Sequence, residues 1–248
     1  MSLDKLKEEW EDLAIRDPFW AILSDPKQRF NKWDTDDFFS TGKKEIDTVM
    51  KVATTLDYPK YREKVLDFGC GVGRLTRALN NYFKECIGVD IAENMILKAR
   101  ELNTDMPNCH FLINTEKNLK IFDSNSFDMI YTSLVLQHLQ DKSIIKSYII
   151  EFIRTLKVDG LLIFQLPAYI PLIYRLQLVR KLFLLLKFMG FKNKYLYEKL
   201  KLFSISMSSI PKKEVVSFLK SNGVKVLEVQ EEKFNIKSNQ SVVYYVTK

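Results

Sequence analysis

From residue 65 onward, short apolar runs alternate with longer stretches in which apolar residues recur every three or four positions. The short runs predict strands, and the longer stretches predict helices. Such alternation is typical of a largely parallel sheet that is covered by helices on both faces. The predicted strands cover 65–68, 85–90, 109–113, 126–134, 160–166, 224–229 and 242–246, and the predicted helices include 75–79, one starting at 94, 142–156 and 211–220.

A loop of alternating glycines follows the first predicted strand, reading Gly69-Cys70-Gly71-Val72-Gly73. Glycines at this spacing allow a ligand to approach the backbone, or allow a positive φ. The dinucleotide fingerprint G-x-G-x-x-G does not fit, because Arg74 stands where its third glycine would fall. Asp67 just before the loop would repel a pyrophosphate but would favour a ligand that carries an ammonium group. The loop therefore predicts a small, partly cationic ligand.

Asp90 ends the second predicted strand, about 20 residues after the glycines, where a ribose-binding carboxylate belongs in this type of fold. The two ribose hydroxyls are donors, and a carboxylate offers two acceptor oxygens. We expect Ile91 to pack flat on an adenine ring. Asp90 is also placed to cap the following helix, a role that is compatible with ligand binding.

Together these motifs resemble the class I methyltransferases that use S-adenosylmethionine, whose first motif reads much like residues 65–73. The resemblance implies a Rossmann-like α/β fold, with a doubly wound, seven-stranded, mostly parallel sheet whose last strand is antiparallel. It implies S-adenosylmethionine as the cofactor. The residues expected to bind it are Asp67, Gly69, Cys70, Gly71, Gly73, Arg74, Asp90, Ile91, Met95, Asn114, Thr115, Glu116, Ser133, Leu134 and His138.

Two pairs in this list, Thr115 with Glu116 and Ser133 with Leu134, are assigned by their positions in the family pattern. The family often contacts adenine through an acidic residue followed by a small one; here Thr115 holds the acidic position, and Glu116 is a substitute. Ser133 and Leu134 fall where the family's fourth strand runs beside the methionine part of the cofactor.

We expect three units along the chain. A helical extension or cap covers 1–60, a cofactor-binding core covers 61–167 and 211–248, and a helical insertion after the fifth strand covers 168–210. All three tryptophans lie in the extension, which resembles the extensions of a subset of bacterial methyltransferases. Two interpretations stay open: the extension only docks on the sheet, or it caps the cofactor with Phe39, Thr41 or Gly42 near the methionine end.

The insertion carries the basicity of the chain. It has eight basic residues and one acidic residue, so its net charge equals the +7 of the whole protein. It is also strongly apolar, but its uncharged runs are too short to span a bilayer. Three interpretations remain: a lid over the acceptor pocket, a homodimer surface, or a basic amphipathic element on an anionic membrane.

Three cysteines without metal-ligand spacing and a charged N-terminal segment indicate a cytoplasmic protein that is soluble or peripheral to the membrane. Nucleic acid is not favoured as a partner, because no zinc-finger, helix-turn-helix or RNA-recognition signature is present. The Asn/Asp-Pro-Pro-aromatic motif of many base-amino methylases is also absent after the fourth strand. No clustered carboxylates indicate a catalytic metal.

We therefore expect a methyltransferase that acts on a hydroxyl of a small molecule or carbohydrate, including a lipid-linked glycan. The alternatives are an RNA or protein methyltransferase, or a non-catalytic module that binds the cofactor or a partner. An alcohol acceptor benefits from a base, and His138 is the candidate by location. A structural or cofactor-contacting role for His138 stays open, and His110 is expected to be structural.

Overall fold

Seven strands form one sheet in the computed structural model, which describes residues 3–139, 141–233 and 240–248. The strand order is β3-β2-β1-β4-β5-β7-β6. Strands β1 to β5 pair in parallel, and β7 runs antiparallel to both of its neighbours. This confirms the predicted doubly wound sheet. The strands are β1 Lys64–Phe68, β2 Glu85–Asp90, β3 Cys109–Ile113, β4 Phe127–Thr132, β5 Leu156–Tyr169, β6 Lys225–Lys233 and β7 Gln240–Thr247.

The helices lie before and between the strands, in agreement with the predicted N-terminal extension and helical insertion. The predicted extension and core include some residues that lie outside the described ones, namely residues 1, 2, 140 and 234–239. The helices are α1 Leu3–Arg16, α2 Pro18–Ile22, α3 Thr35–Thr55, α4 Arg74–Leu79, α5 Glu93–Leu102, α6 Lys142–Thr155, α7 Leu172–Arg175, α8 Leu178–Phe188, α9 Asn193–Glu198 and α10 Lys212–Ser221.

Two apolar layers cover the sheet, because successive side chains of a strand point to opposite faces. One layer joins Val65 of β1 to buried residues of α3, α4 and α5. The other joins Leu66 of β1 to buried residues of α6 and α10. All six residues of β4 are buried, as expected for a central parallel strand.

The predicted fourth strand extends two residues too far. β4 ends at Thr132, and Leu134 has a φ of +63°, a left-handed conformation that a strand cannot contain. Its backbone N–H donates to Oε1 of Gln165 on β5 at 3.0 Å. Ser133 and Leu134 therefore lie in a loop beyond the carboxyl end of the sheet.

Helix α3 anchors the extension on the sheet. Its Glu45 forms an ion pair with Arg74 at 2.7 Å and accepts from the hydroxyl of Tyr131 on β4 at 2.9 Å. Gly42 on the same helix lies so close to α4 that a Cβ would stand 2.5 Å from the carbonyl oxygen of Arg74. The close approach of α3 to α4 thus requires glycine at position 42.

The extension and the insertion are docked on each other through Arg29. Its guanidinium carbon lies 4.3 Å from the ring centroid of Tyr197 and 4.7 Å from that of Trp20. The same group donates to the carbonyl oxygens of Tyr197 and Lys201. Asp17 accepts from the hydroxyl of Tyr197 at 2.8 Å.

Among residues 3–139, 141–233 and 240–248, no helix is both long enough and apolar enough to cross a bilayer.

We expect Gly42→Ala to lower the free energy of unfolding by about 1–3 kcal/mol, because the new methyl group must displace the Arg74 backbone. Chemical denaturation measures the change. The control is Lys44→Ala on the exposed side of the same helix, which should stay within about 0.5 kcal/mol of the parent. Equal stabilities for the two variants would contradict the close-contact argument.

Candidate active site

The glycine loop between β1 and α4 is held against the end of β2. The backbone N–H groups of Gly69 and Cys70 both donate to the carbonyl oxygen of Val89, at 2.8 and 3.0 Å. Gly69 has a φ of +76°, and a Cβ there would stand 2.3 Å from the side chain of Val135. The loop therefore needs glycine both for its conformation and for the approach of the segment that follows β4.

Asp90 connects the ends of β1 and β2. One carboxylate oxygen accepts from the N–H of Gly71 at 2.9 Å, and the other accepts from the N–H of Ala92 at 2.9 Å. Each oxygen keeps acceptor capacity for a further donor. Burial raises the pKa of this carboxyl above its usual value, and the two backbone donors oppose that rise.

A cleft opens over these strand ends, with about 800 Å³ of space that includes open solvent. Nine of the predicted cofactor residues line it: Gly69, Gly71, Asp90, Ile91, Met95, Asn114, Ser133, Leu134 and His138. The structure thus brings together residues from four separate loops that follow parallel strands, as expected for the carboxyl edge of such a sheet.

Six predicted cofactor residues do not line this cleft: Asp67, Cys70, Gly73, Arg74, Thr115 and Glu116. Asp67 lies on the opposite face of β1 from Phe68, which does line the cleft. Its carboxylate is buried and accepts from the hydroxyl of Thr76 on α4 at 2.6 Å. Burial raises the pKa of Asp67 to about 7.

The other five are held elsewhere for local reasons. Arg74 turns to Glu45 on α3, and Cys70 is buried behind the loop. Gly73 caps the start of α4. Thr115 and Glu116 are exposed in the turn after β3, and only Asn114 of that segment reaches the cleft.

His138 lies in a 3-10 turn after β4, at the wall of the cleft. Its Nδ1 is 2.8 Å from the carbonyl oxygen of Ser206, which can only accept, so Nδ1 carries the proton. Nε2 then accepts from the side-chain amide of Gln137 at 3.3 Å. Burial lowers the pKa of His138 below its usual 6.5, so the ring is neutral at neutral pH.

Helices α1 and α2 close the cleft, and sequence reasoning missed their residues: Leu3, Leu6, Trp10, Ala21 and Ile22. The ring of Trp10 meets that of His138 edge to face, with centroids 5.3 Å apart. Phe39, Thr41 and Gly42, which were expected near the methionine end, do not line the cleft. These three belong to α3, which packs on α4 instead.

The insertion reaches the same site. Besides the contact of Ser206 with His138, the N–H of Ser208 donates to the carbonyl oxygen of Gln137 at 2.7 Å. Gln165 was also missed; it holds Leu134 and donates in turn to the hydroxyl of Ser241 on β7. The sequence signal that could have identified Gln165 is a polar residue inside an otherwise apolar strand. In the described part of the chain, no three His, Cys, Asp or Glu side chains are grouped as metal ligands would be.

Comparison with known proteins places this site in a family. Residues 66–164 match the model of a methyltransferase domain. A segment of 101 residues is 27% identical to phosphoethanolamine N-methyltransferase 1 of Caenorhabditis elegans, and it covers 41% of this chain and 21% of that protein. A segment of 99 residues is 33% identical to the uncharacterized methyltransferase YcgJ of Bacillus subtilis, and it covers 39% and 38% of the two chains. The match thus spans less than two fifths of either relative.

The fold is shared over a longer span. Magnesium protoporphyrin IX methyltransferase from Synechocystis PCC 6803, crystallised with S-adenosylhomocysteine, aligns with a TM-score of 0.64 at 16% identity, over 99% of both chains. The sheet order, the glycine loop and Asp90 define the same class as the domain match. Residues 66–164 thus carry a methyltransferase domain, and the sheet around them has the fold of the class I S-adenosylmethionine-dependent methyltransferases.

Asp67 makes the stability of the folded protein depend on pH. Its pKa is about 7 when folded, against 3.8 for an ordinary Asp, so between these values the unfolded chain releases a proton that the folded chain retains. The stability contributed by protonated Asp67 is complete below pH 3.8 and is lost as the pH rises to about 7. Asp67→Asn should remove this loss, which is at most about 1.4 kcal/mol per pH unit.

Denaturation of both proteins across this pH range measures the effect. Asp105→Asn is the control, because the Arg77 guanidinium lowers the pKa of the exposed Asp105 carboxyl, and that variant should keep the loss. A fall in stability that is the same with and without the Asp67 carboxyl would contradict the assignment.

Proposed function

We propose that the protein transfers the methyl group of S-adenosylmethionine to a hydroxyl of a small molecule, with His138 as the general base. The observation that carries this proposal is the state of His138 at the cleft. Its Nδ1 proton is held by the Ser206 carbonyl, and the ring is neutral, so the Nε2 lone pair is available to a proton. The hydrogen bond to that lone pair from Gln137 is long and can be exchanged for one from an acceptor hydroxyl.

The cleft fits the cofactor that the family uses. Asp90, Ile91 and Asn114 line the cleft together. We assign the Asp90 carboxylate to the ribose hydroxyls, and Ile91 and Asn114 to the adenine. Gly69, Gly71 and the loop at Ser133 and Leu134 also line the cleft and are the residues we assign to the methionine part of the cofactor. A Cβ at either glycine would collide with a side chain of the wall, Val135 or Ile22. S-adenosylmethionine, when bound, supplies an electrophilic methyl group on a sulfonium that becomes neutral as the methyl leaves.

The chain's own residues then have three tasks. The strand-end loops orient the cofactor, and correct placement can supply much of the rate acceleration. Leu3, Leu6 and Trp10 exclude water from the cleft. His138 takes the hydroxyl proton at Nε2 as the oxygen attacks, and it becomes the imidazolium while Nδ1 stays bound to Ser206.

The walls of the cleft favour a neutral acceptor. Among the described residues that line it there is no Lys or Arg, and its one carboxylate, Asp90, belongs to the ribose end. A phosphorylated acceptor, such as the names of the phosphoethanolamine relatives imply, would find no cationic partner there. The methyltransferase domain match covers residues 66–164, and α1 and α2, which line the cleft, lie outside it. We therefore propose a neutral alcohol, with sugar hydroxyls, free or on a lipid, in that class.

The transfer is tested directly with S-adenosylmethionine labelled in its methyl group. The protein is incubated with small-molecule and lipid extracts, and the labelled product is isolated for mass spectrometry. We expect the label on an oxygen atom. A methyl group on nitrogen would contradict the hydroxyl assignment, and the absence of any labelled product would contradict the enzymatic function.

Asp90→Asn should weaken S-adenosylmethionine binding about tenfold to a hundredfold, because the amide NH₂ opposes one of the two backbone donors and a charge-assisted acceptor is lost. Calorimetric titration gives the dissociation constants. Glu93→Gln, an exposed change three residues further on, should bind the cofactor like the parent. Unchanged affinity in Asp90→Asn would remove Asp90 from the proposed ribose site.

With the isolated acceptor, His138→Ala should lower kcat about 10²- to 10⁴-fold and leave the affinity for S-adenosylmethionine unchanged. The parent's kcat should fall as the pH drops through the lowered pKa of His138, and the variant should lack this limb. His110→Ala, on the exposed side of β3, is the matched control and should keep normal turnover. Near-normal turnover in His138→Ala would rule out the base.

A further inference from the structure

Helix α8 presents an apolar stripe to solvent. Leu178, Leu182, Leu185 and Met189 recur at positions i, i+4, i+7 and i+11, which places them on one side of the helix. Each is between 46 and 64% exposed, and the neighbouring Phe188 is 90% exposed. Surface helices of soluble domains normally turn such a stripe inward.

The opposite side of α8 is held to the protein by a polar contact. Arg180 pairs with Glu9 of α1 at 2.9 Å and donates to the carbonyl oxygen of Ser204 at 2.9 Å, and both charged side chains are nearly buried. Phe183 is buried on the same side. Rotating the helix to cover its leucines would expose Phe183 and break this ion pair. The outward stripe is therefore a property of the folded chain.

We name the surface of residues 172–201 the basic apolar face. Further exposed apolar side chains extend the stripe, at Leu172, Leu176, Phe191, Tyr195 and Leu200. Seven cations are exposed in the same segment: Arg175, Lys181, Lys187, Lys192, Lys194, Lys199 and Lys201. Glu198 is its one acidic residue. So many exposed apolar side chains in one segment indicate an interaction site.

We propose that the basic apolar face docks on an anionic lipid bilayer, with α8 lying in the plane of the interface. An amphipathic helix with an apolar face and flanking lysines binds in this way: the leucines enter the boundary of headgroups and acyl chains, and the lysines meet lipid phosphates. At 11 residues, α8 is too short to cross the bilayer. This inference does not depend on which acceptor is methylated.

The charge of the basic apolar face favours an anionic bilayer over two other occupants, a second copy of the chain and a polar polyanion. A two-fold pair of copies would set the same patch against itself, and two faces that each carry seven exposed cations and one carboxylate would repel. A polar polyanion would neutralise the lysines but leave the leucine stripe in water. An anionic bilayer satisfies the charge and the apolar stripe together.

Flotation with vesicles tests the proposal on the intact chain, without any activity measurement. At low ionic strength we expect the protein to float with vesicles of phosphatidylglycerol and phosphatidylcholine, and not with phosphatidylcholine alone. Removing both Leu182 and Leu185 side chains, as Leu182→Ser with Leu185→Ser, should weaken binding by more than tenfold. Leu97→Ser, a change at an exposed leucine of α5, is the matched control and should float like the parent.

Substitution of the lysines gives a second, independent test of vesicle binding. Lys181→Gln with Lys187→Gln should weaken binding to the anionic vesicles about fivefold for each lysine removed. Thermal unfolding of every variant verifies that these surface changes leave the fold intact.

Failure of the parent to float with anionic vesicles would overturn the proposal, as would equal flotation of the double-serine variant. Sedimentation analysis tests the alternative occupant, a second copy of the chain. A dimer that the same serine substitutions dissociate, in a protein that does not bind vesicles, would assign the face to self-association.

Discussion

The carboxylate of Asp90 is the contact on which the geometry of the site depends. It binds the N–H of Gly71 on one side and that of Ala92 on the other, so the ends of two parallel strands are held at a fixed separation. The Val89 carbonyl beside it takes two further N–H groups of the glycine loop. Because these donors are fixed by a buried acceptor, the loop forms a rigid floor, and the absence of side chains at Gly69 and Gly71 lets the walls approach it.

The walls come from segments that are distant in sequence but interlocked in space. Arg29 of the extension lies among Trp20, Phe30, Tyr197 and Phe203, and donates to two backbone carbonyl groups of the insertion. A guanidinium removed from water needs such partners, and aromatic faces supply part of the compensation. The family domain thus provides the floor, α1 and α2 of the extension close the cleft over it, and the insertion supports both the extension and His138 from behind. A change in acceptor could arise in these segments while the floor stays the same.

The sheet was predictable because each buried strand is a short apolar run, and Asp90 was predictable because it follows the glycines at a characteristic distance. Asp67 and Arg74 belong to the same motif, yet they point away from the cleft. Successive side chains point to opposite faces of a strand and in different directions around a helix. A motif therefore predicts which residues lie near the cleft better than it predicts which side chains face it. The contributions of Leu3, Trp10 and Ser206 depend on how α1 and the insertion pack, and no local pattern encodes that. Arg180 faces inward because Glu9, far away in the chain, is there to receive it.

The carbonyl of Ser206 has a consequence for the timing of the chemistry. It is the contact that keeps the Nδ1 proton of His138 in place, and it belongs to the insertion, not to the family domain. Without this contact the imidazole could exchange between tautomers, and the lone pair at Nε2 would no longer be guaranteed. In the proposed reaction, the readiness of His138 as a base therefore depends on the docking of the insertion. A protein with the insertion undocked would hold its methyl donor without a base in position.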